Sequence, residues 1–417
     1  MTARKTPFYG LIGSYFVSQV GTAMSGVAIP WLVLITTGSA VKTGVVGFAE
    51  LAPYVAFQML AGPIADRIGL KRTCVLGNAI AAVLVTAIPV LHALGALHIT
   101  ALIGLVAVAG AARGAADSAM RPLVPGTATL GEVALERASG LTSAANRTGL
   151  LAGIPLAGAL IVATSPATVV LLDAVTFALA AIGIAVLVPA SAAPENVPGE
   201  QLSLRSYASD LRDGLRFVRH DRLILAAILT SAATNLLDQA LTTVLLPVWA
   251  RDRLHTAAAI GWFGGAMAAG ALGGVLLAAW LGPHLPRRIT FAIGYLIGGA
   301  PPFFALAAFS TLAPAVTVAL VAGIAGGVLN PIFGAVAYER IPPNLQTRVF
   351  GVIQGSAWAG TALGPLLGGV VASRAGLTPA LILCGAAMFA VTTCPLLFPV
   401  WRGMDRTPPQ DVAPTAA

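Results

Sequence analysis

Long apolar runs separated by short polar segments make up most of the chain. A run of about 20 apolar residues is long enough for an α-helix to cross the hydrocarbon core of a bilayer. The segments between such runs must lie at the membrane surfaces, because irregular backbone finds no hydrogen-bond partners in hydrocarbon. The pattern predicts twelve membrane-spanning helices, at residues 9–36, 44–65, 73–95, 99–121, 137–163, 167–189, 222–250, 258–281, 289–311, 313–338, 348–373 and 378–400.

Composition agrees with this pattern, since 57% of the residues are apolar and 10% are charged, with a mean hydropathy of +0.87. Soluble domains contain about 25% charged residues. The three cysteines fall inside apolar runs, and the five histidines share no metal-ligand spacing. The sequence also lacks a phosphate-binding loop and a Ser/His/Asp arrangement. It thus predicts an integral membrane protein that is not an enzyme and that uses neither a cofactor nor a metal ion.

The lysines and arginines are distributed unevenly between the predicted loops. Of the 24, eighteen lie on the side of the two termini, four on the opposite side and two within spans. Basic residues concentrate in the cytoplasmic loops of membrane proteins. Both termini are therefore expected in the cytoplasm and the chain in the plasma membrane. The net charge of +8 then needs no nucleic-acid partner to explain it.

One long polar stretch, residues 190–221, divides the predicted spans into six and six. Its second part predicts an amphipathic helix at the cytoplasmic interface. The apolar residues at helical spacing there are Leu204, Tyr207, Leu211, Leu215 and Val218. We therefore expect an N-terminal bundle at 1–189, a cytoplasmic linker at 190–221, a C-terminal bundle at 222–401 and a disordered cytoplasmic tail at 402–417.

The two halves share a spaced motif. Arg137 is followed by Gly140, Gly149 and Gly153, and the same spacing returns 211 residues later in Arg348, Gly351, Gly360 and Gly364. An arginine at the membrane edge followed by three glycines in register indicates a duplicated bundle. Two six-helix halves around a central site are the architecture of many secondary transporters. The predicted fold is therefore an all-α membrane protein with two pseudo-symmetric six-helix bundles.

The polar segment between the second and third spans has the sequence GPIADRIGLKR at residues 62–72. It resembles the loop signature G-x-x-x-D-R-x-G-R-[KR] of the major facilitator superfamily through Gly62, Asp66, Arg67, Gly69 and Lys71. One position departs, since Leu70 replaces a basic residue. In that family the segment belongs to a cytoplasmic charge cluster that locks the outward-open state. The resemblance, which extends over nearly the whole chain, implies a gate that also involves Arg113 and Asp117.

Two glycine-rich segments resemble the antiporter signature of the same family, G-x-x-x-G-P-x-x-G-G. The copy in the eleventh span is complete, whereas Ile154 interrupts the copy in the fifth span. Small residues at this spacing let two helix backbones approach closely. The motif is therefore either a packing seam alone or, by the resemblance, a mark of an exporter. The residues concerned are Gly149, Gly153, Pro155, Gly158, Gly360, Gly364, Pro365, Gly368 and Gly369.

Six charged residues fall inside the predicted spans. An ionised side chain at the bilayer centre costs about 2.5–3.5 kcal/mol, so each is a candidate for function. Arg113 and Asp117 are four residues apart on one helix, which predicts a pair near the gate; direct proton carriage is the alternative. Glu50 forms a polar stripe with Tyr54 and Gln58 and has no neutralising neighbour in sequence, which suits reversible protonation. A static hydrogen-bonded role or a gate-side role is the alternative for Glu50.

The other three charges lie in the fifth, sixth and seventh spans. Asp238 is the second proton-coupling candidate, with a hydrogen bond to substrate or a solvated position at the outer end as the alternatives. Asp173 is the third, although it is expected near the outer interface with a structural role. Arg147 either binds an anionic group of a substrate or, as we expect, pairs with Glu50 or Asp173. The remaining candidates for the wall of a central cavity are Gln19, Asn146, Thr234, Asn235, Gln239, Asn330, Gln354 and Trp358.

These patterns predict a secondary active transporter that works by alternating access. Short motifs beginning at Ser18 and at Leu245 resemble the branch of the family that contains macrolide-efflux and siderophore-export permeases. We therefore expect a monomer in the lipid bilayer that exports a small amphipathic compound, such as a drug, secondary metabolite or siderophore, in exchange for protons. Proton-coupled uptake of a metabolite and a non-transporting membrane sensor are the alternatives.

Overall fold

The computed structural model describes residues 5–192, 204–281, 285–342 and 345–405. Within these ranges the side chains of residues 63, 64, 66, 204–211 and 347 lie outside the description. The first part of the predicted linker and the predicted tail from residue 406 also lie outside the described residues. All regular structure in the described part is helical.

Twelve spans lie in the described part of the chain, and they correspond one to one with the apolar runs of the sequence. Spans 1–6 are Thr6–Thr37, Ala40–Leu60, Leu70–Ala93, Ile99–Leu130, Leu135–Ala163 and Pro166–Leu187. Spans 7–12 are Arg222–Leu254, Ala258–Leu281, Arg287–Ala308, Leu312–Arg340, Gln346–Ala375 and Leu377–Leu397. Eleven of the described helices are apolar and long enough to cross a membrane by composition and length. Span 11 has 30 residues and lies among the others, but its glycines and polar residues lower its hydropathy.

The two largest differences from the predicted helix boundaries are at the ends of spans 4 and 2. Span 4 runs to Leu130 rather than 121, through Pro122 and Pro125, because packing outweighs the lost backbone hydrogen bonds. Leu123 in this extension is fully buried. The polar segment that follows span 2 begins with a short helix, Gly62–Ile68. Gly69 ends that helix with a φ of 97°, a conformation that glycine adopts without strain.

Several spans are interrupted. Span 7 contains two π-helical segments, Leu241–Leu245 and Ala250–Leu254, on either side of Pro247. Span 9 is interrupted at Ala300, just before a proline pair, and span 10 is interrupted at Val328. Proline and π-turns are the usual causes of such bends, because both interrupt the regular ladder of backbone hydrogen bonds.

Glycines hold the predicted seams inside each half. In span 11 a Cβ placed on Gly360 would lie 2.2 Å from the carbonyl oxygen of Ala232, and one on Gly364 would lie 2.4 Å from that of Leu236. Span 5 packs on span 1 in the same manner, with Gly153 against the carbonyl of Val20. Spans 5 and 11 are thus equivalent partners of spans 1 and 7, as the duplicated motif predicts.

The two halves meet at the membrane face away from the termini, which we name the opposite face; the face that holds residues 5 and 405 is the terminal face. Gly158 of span 5 packs on Gly261 of span 8, and Gly44 of span 2 packs on the carbonyl of Pro365 in span 11. Leu34 is fully buried against residues of span 7 at the same level. These contacts close the opposite face.

A helix at Leu204–His220 runs along the terminal face before span 7. Its Gly214 lies against the backbone of span 11 at Arg348, and Val218 is buried in a cluster with residues of spans 7, 10 and 11. Asp213 forms an ion pair with Arg348 at 2.9 Å. The helix is therefore anchored to the second half by protein contacts.

Substitution of a seam glycine should destabilise the protein. The Cβ of Gly360→Ala would meet a backbone oxygen that cannot move independently, and overpacking of this kind costs about 1–3 kcal/mol. Gly351→Ala is the matched control on the same helix, since its Cβ would meet nothing within 4 Å. A thiol-reactive dye that reports exposure of buried Cys74 and Cys384 gives the melting temperature. Equal melting temperatures for the two variants would contradict the seam.

Candidate functional site

A cavity of about 1220 Å³ lies between the two halves. Spans 1, 2, 4 and 5 supply most of its polar wall, and spans 7, 8 and 11 close the other side. It reaches the terminal face, where Arg121, Pro125 and Leu135 line it, and it ends below the contacts that close the opposite face. Binding sites for small molecules commonly measure about 300–1,000 Å³, so this cavity is large enough for one.

An ion pair lies on the cavity wall in the first half. Arg113 Nη1 of span 4 donates to Glu50 Oε1 of span 2 at 3.1 Å, and the two side chains are only 12% and 16% exposed. Arg113 Nη2 also donates to Thr22 Oγ1 of span 1 at 2.9 Å. The guanidinium carbon lies 5.5 Å and 5.2 Å from the ring centroids of Tyr54 and Phe177. One arginine therefore links four spans.

The predicted stripe on span 2 forms a second hydrogen-bonded group. The Tyr54 hydroxyl donates to Asp117 Oδ2 at 2.9 Å, and Gln58 Nε2 donates to the same hydroxyl at 2.9 Å. The expected pair of Arg113 with Asp117 is therefore wrong for this conformation. Each side chain turns to a partner on span 2, because two residues one turn apart on a helix reach across to different levels of the neighbouring helix.

Asp173 of span 6 is buried inside the first half and lies outside the cavity lining. Ser25 Oγ donates to Asp173 Oδ2, and Thr176 Oγ1 donates to Oδ1 at 3.3 Å. The close approach of Gly21 leaves room for this carboxylate, since a Cβ there would lie 2.4 Å from it. The position expected for Asp173 near the outer interface stays a prediction, while its 1% exposure and its hydrogen bonds within the first half agree with the expected structural role.

Asp238 also lies outside the residues that line the cavity. Span 7 instead presents Gln239, Thr242 and Thr243 to it. Thr242 Oγ1 donates to the backbone carbonyl of Asp238 at 2.9 Å, and no hydrogen bond to the Asp238 carboxylate is formed by the described residues. Span 7 is polar on more than one face, so its sequence could not show which face meets the cavity.

Arg147 lies on the cavity wall with an exposed side chain. The expected pair with Glu50 or Asp173 is not formed, because Glu50 binds Arg113 and Asp173 binds Ser25. Within the described part of the chain Arg147 makes no ion pair with any carboxylate. Its neighbour Asn146 donates to the hydroxyl of Tyr15 at 3.1 Å.

The other predicted cavity residues divide into two groups. Gln19, Tyr54, Gln58, Asn146, Gln239 and Trp358 line the cavity, and the Trp358 ring lies 6.1 Å from that of Tyr54 in an edge-on arrangement. Those outside the lining are Thr234, Asn235, Asn330 and Gln354. Thr234 donates to the Ser231 carbonyl within span 7, whereas Asn235 donates to the Ala357 carbonyl and so links spans 7 and 11 of the second half.

Sequence reasoning missed the apolar part of the wall. Ile154, Ile260, Phe263 and Met267 of spans 5 and 8 line the cavity. An apolar residue in an apolar helix carries no signal of its own. The position of span 8 opposite span 5, set by Gly261 against Gly158, places these side chains there.

The gate motif is only partly visible. Lys71 Nζ donates to the carbonyl of Ala185 at the end of span 6 at 2.9 Å, and Arg67 is exposed. The side chain of Asp66 lies outside the described residues. Among the described side chains, the charges of the motif make no contact with Arg113 or Asp117.

Comparisons with known proteins agree with this architecture. The model of the major facilitator superfamily matches residues 11–255 and 228–417. A protein named multidrug efflux pump Tap from Mycobacterium tuberculosis is 26% identical over 415 residues, which cover 98% of this chain and 97% of that protein. The Tap protein of Mycolicibacterium fortuitum is 24% identical over 408 residues, or 96% and 98% of the two chains.

Two solved structures share the fold. The nucleoside transporter NupG has a TM-score of 0.72 at 12% identity, over 95% of this chain and 98% of that one. A bacterial homologue of the human lysosomal transporter Spinster, in an inward-facing and unoccupied conformation, has a TM-score of 0.73 at 13% identity, over 98% and 99%. The cavity between two six-helix halves and the match of the family model over nearly the whole chain lead to one conclusion. The chain belongs to the major facilitator superfamily and is a membrane transporter rather than an enzyme.

Proposed function

We propose that this transporter exports small amphipathic compounds across the plasma membrane in exchange for protons. The central cavity, open toward the terminal face and closed at the opposite face, carries this proposal. Relatives of nearly the same length that are named multidrug efflux pumps support the direction of transport.

The distribution of basic residues favours one orientation of the two faces in the membrane. Eighteen lysines and arginines belong to the segments on the side of the termini and four to those on the other side, which favours a cytoplasmic terminal face. Compounds then reach the cavity from the cytoplasm, and the Gly158–Gly261 and Gly44–Pro365 contacts form the outer gate. The lock attributed to the motif around Asp66 belongs to the outward-open state, which agrees with the lack of hydrogen bonds or ion pairs from the described side chains of Arg67 and Lys71 to Arg113 and Asp117 in this conformation.

The wall of the cavity suits amphipathic compounds. Phe263 and Met267 present an apolar surface from span 8, while Gln19, Asn146 and Gln239 offer hydrogen bonds. A compound with one apolar and one polar side can satisfy both walls. All of the walls come from one chain, so we expect the protein to act as a monomer.

Protonation of a carboxylate couples the cycle to the proton gradient, and we assign this role to Glu50 and Asp238, with Asp173 as a third candidate. A proton on Glu50 would remove the charge that holds Arg113 and thereby weaken the link between spans 2 and 4. One charge that crosses 100 mV yields about 2.3 kcal/mol. A tenfold substrate gradient costs about 1.4 kcal/mol, so one proton suffices for it.

Everted vesicles that contain the protein should accumulate an amphipathic dye when their lumen is acidified. The test panel contains a cationic, a neutral and an anionic dye, namely ethidium, N-phenyl-1-naphthylamine and 1-anilinonaphthalene-8-sulfonate. Uptake of at least one dye should stop when nigericin collapses the pH gradient. Accumulation only in right-side-out vesicles would indicate uptake instead, and the absence of flux in both orientations would contradict transport of this class.

Glu50→Gln or Asp238→Asn, or both, should abolish substrate-dependent proton movement in proteoliposomes that contain a pH-sensitive dye. Each change removes a proton site and keeps the shape of the side chain. Asp405→Asn is the matched control, because this carboxylate is exposed at the end of the described chain. Normal coupling in the double variant would refute the assignment of both carboxylates.

The pair of Glu50 with Arg113 should appear as an energetic coupling. Glu50→Gln and Arg113→Gln should each lower the melting temperature, because each leaves a desolvated polar group without its partner. The double variant should lose less than the sum of the two single losses, with a coupling of about 0.5–3 kcal/mol. Additive losses would show that the two residues do not depend on each other.

A further inference from the structure

Some of the charged side chains on the cavity wall have a hydrogen-bonded partner among the described residues and others do not. Both carboxylates are occupied, since Glu50 binds Arg113 and Asp117 accepts the hydroxyl of Tyr54. Arg121 and Arg147 also line the cavity, and neither makes an ion pair with a described residue. With two carboxylates, of Glu50 and Asp117, and three guanidinium groups, of Arg113, Arg121 and Arg147, the cavity lining has a net formal charge of +1.

Arg147 lies at a boundary along span 5. Toward the terminal face this helix lines the cavity with hydroxyl groups of Ser139, Thr142 and Ser143. Toward the opposite face it lines the cavity with Leu150 and Ile154. The seven steps from Arg147 to Ile154 cover about 10 Å along the helix axis. That length fits a molecule of two fused or linked rings with its polar group at one end.

Span 8 completes the apolar end of this arrangement. Ile154 is packed against the backbone of Gly264, and Phe263 and Met267 line the cavity next to it. The apolar pocket therefore lies deeper in the cavity than Arg147, on the side of the closed face. A compound that enters from the terminal face would place its apolar body there and leave its polar group beside the guanidinium.

We propose that the substrates include amphipathic compounds with one anionic group, a carboxylate, sulfonate or phosphate, which Arg147 binds. This inference rests on the proposed transport function and names the substrate class of the same cavity. A guanidinium presents a planar fork of N–H donors that matches the oxygens of such groups. Arg121 adds a second positive charge on the path from the terminal face.

The charge of the substrate has a consequence for the driving force. Export of a monoanion in exchange for one proton moves two positive charges inward per cycle. A membrane potential that is negative inside then drives both movements. Anionic substrates would thus gain more from the potential than neutral or cationic ones.

Dye binding to the full-length protein in phosphatidylcholine nanodiscs tests the site directly. The probes are 1-anilinonaphthalene-8-sulfonate and neutral N-phenyl-1-naphthylamine, which share a ring system and differ in the sulfonate; signals from empty nanodiscs are subtracted. R147Q should weaken binding of the sulfonate dye about tenfold, the loss of one charge-assisted contact, and should leave the neutral dye unchanged. The affinity of R147K for the sulfonate dye should lie between those of the native protein and R147Q, since lysine keeps the positive charge but lacks the planar fork of N–H donors.

Arg374→Gln is the matched control, because Arg374 is exposed at the end of span 11 outside the cavity. It should bind both dyes as the native protein does. Unchanged binding of the neutral dye by R147Q also reports that this variant is folded. Equal weakening of both dyes, or no weakening of the sulfonate dye, would overturn the proposal.

Phosphatidylglycerol in the nanodiscs separates two sources of the anion. If it displaces the sulfonate dye from the native protein but not from R147Q, a lipid headgroup occupies the anionic site. If binding is unchanged, the site takes soluble anions, and either result supports an anion site at Arg147. Binding in nanodiscs is measured without a proton gradient, so it is independent of transport. If Arg147 does not favour the sulfonate dye in nanodiscs but vesicles still export dye, only this inference is refuted. Selective binding without export in vesicles refutes only the proposed function.

Discussion

Close approach of helix backbones at glycine is the constraint on which the rest of the structure depends. Inside a bilayer, lipid chains are as apolar as leucine, so helices associate through packing rather than through the hydrophobic effect. Gly360 and Gly364 bring span 11 against span 7, and Gly153 brings span 5 against span 1. Gly158 and Gly44 do the same between the halves near the opposite face. The position of these glycines thus decides which end of the cavity is open.

The polar groups are arranged within that frame. Arg113 binds Glu50 and Thr22 and lies near two aromatic rings, so a single cation holds spans 1, 2, 4 and 6 together. All of its named partners belong to the first half. The first half therefore carries a charged, hydrogen-bonded wall. The second half contributes amide and hydroxyl groups of span 7 and the apolar surface of span 8, and the contrast between the two walls defines the chemistry of the cavity.

The fold could be predicted from the sequence because each span is encoded by its own apolar run. The stripe of Glu50, Tyr54 and Gln58 could also be predicted, since it depends only on the spacing within one helix. Partners on other helices could not be predicted. Spacing favoured Asp117 as the partner of Arg113, but Glu50 lies closer in space. Whether Asp238 faces the cavity depends in the same way on how span 7 is rotated about its axis. Polar residues lie on several faces of this span, so its sequence does not determine the rotation.

The π-helical segments of span 7 bear on that rotation. A π-turn holds one more residue than an α-turn, so the residues after it are displaced around the helix axis relative to those before it. Gln239 and Thr242 face the cavity, whereas Trp249, beyond Leu241–Leu245, is fully buried and donates to the carbonyl of Phe309 at 3.1 Å. The additional residue therefore rotates the later part of span 7 about the helix axis relative to the earlier part. One continuous span can therefore line the substrate cavity at mid-membrane and pack against its own half at the closed face. In a uniform α-helix the residues that make these two sets of contacts would be related by a fixed angle around the axis.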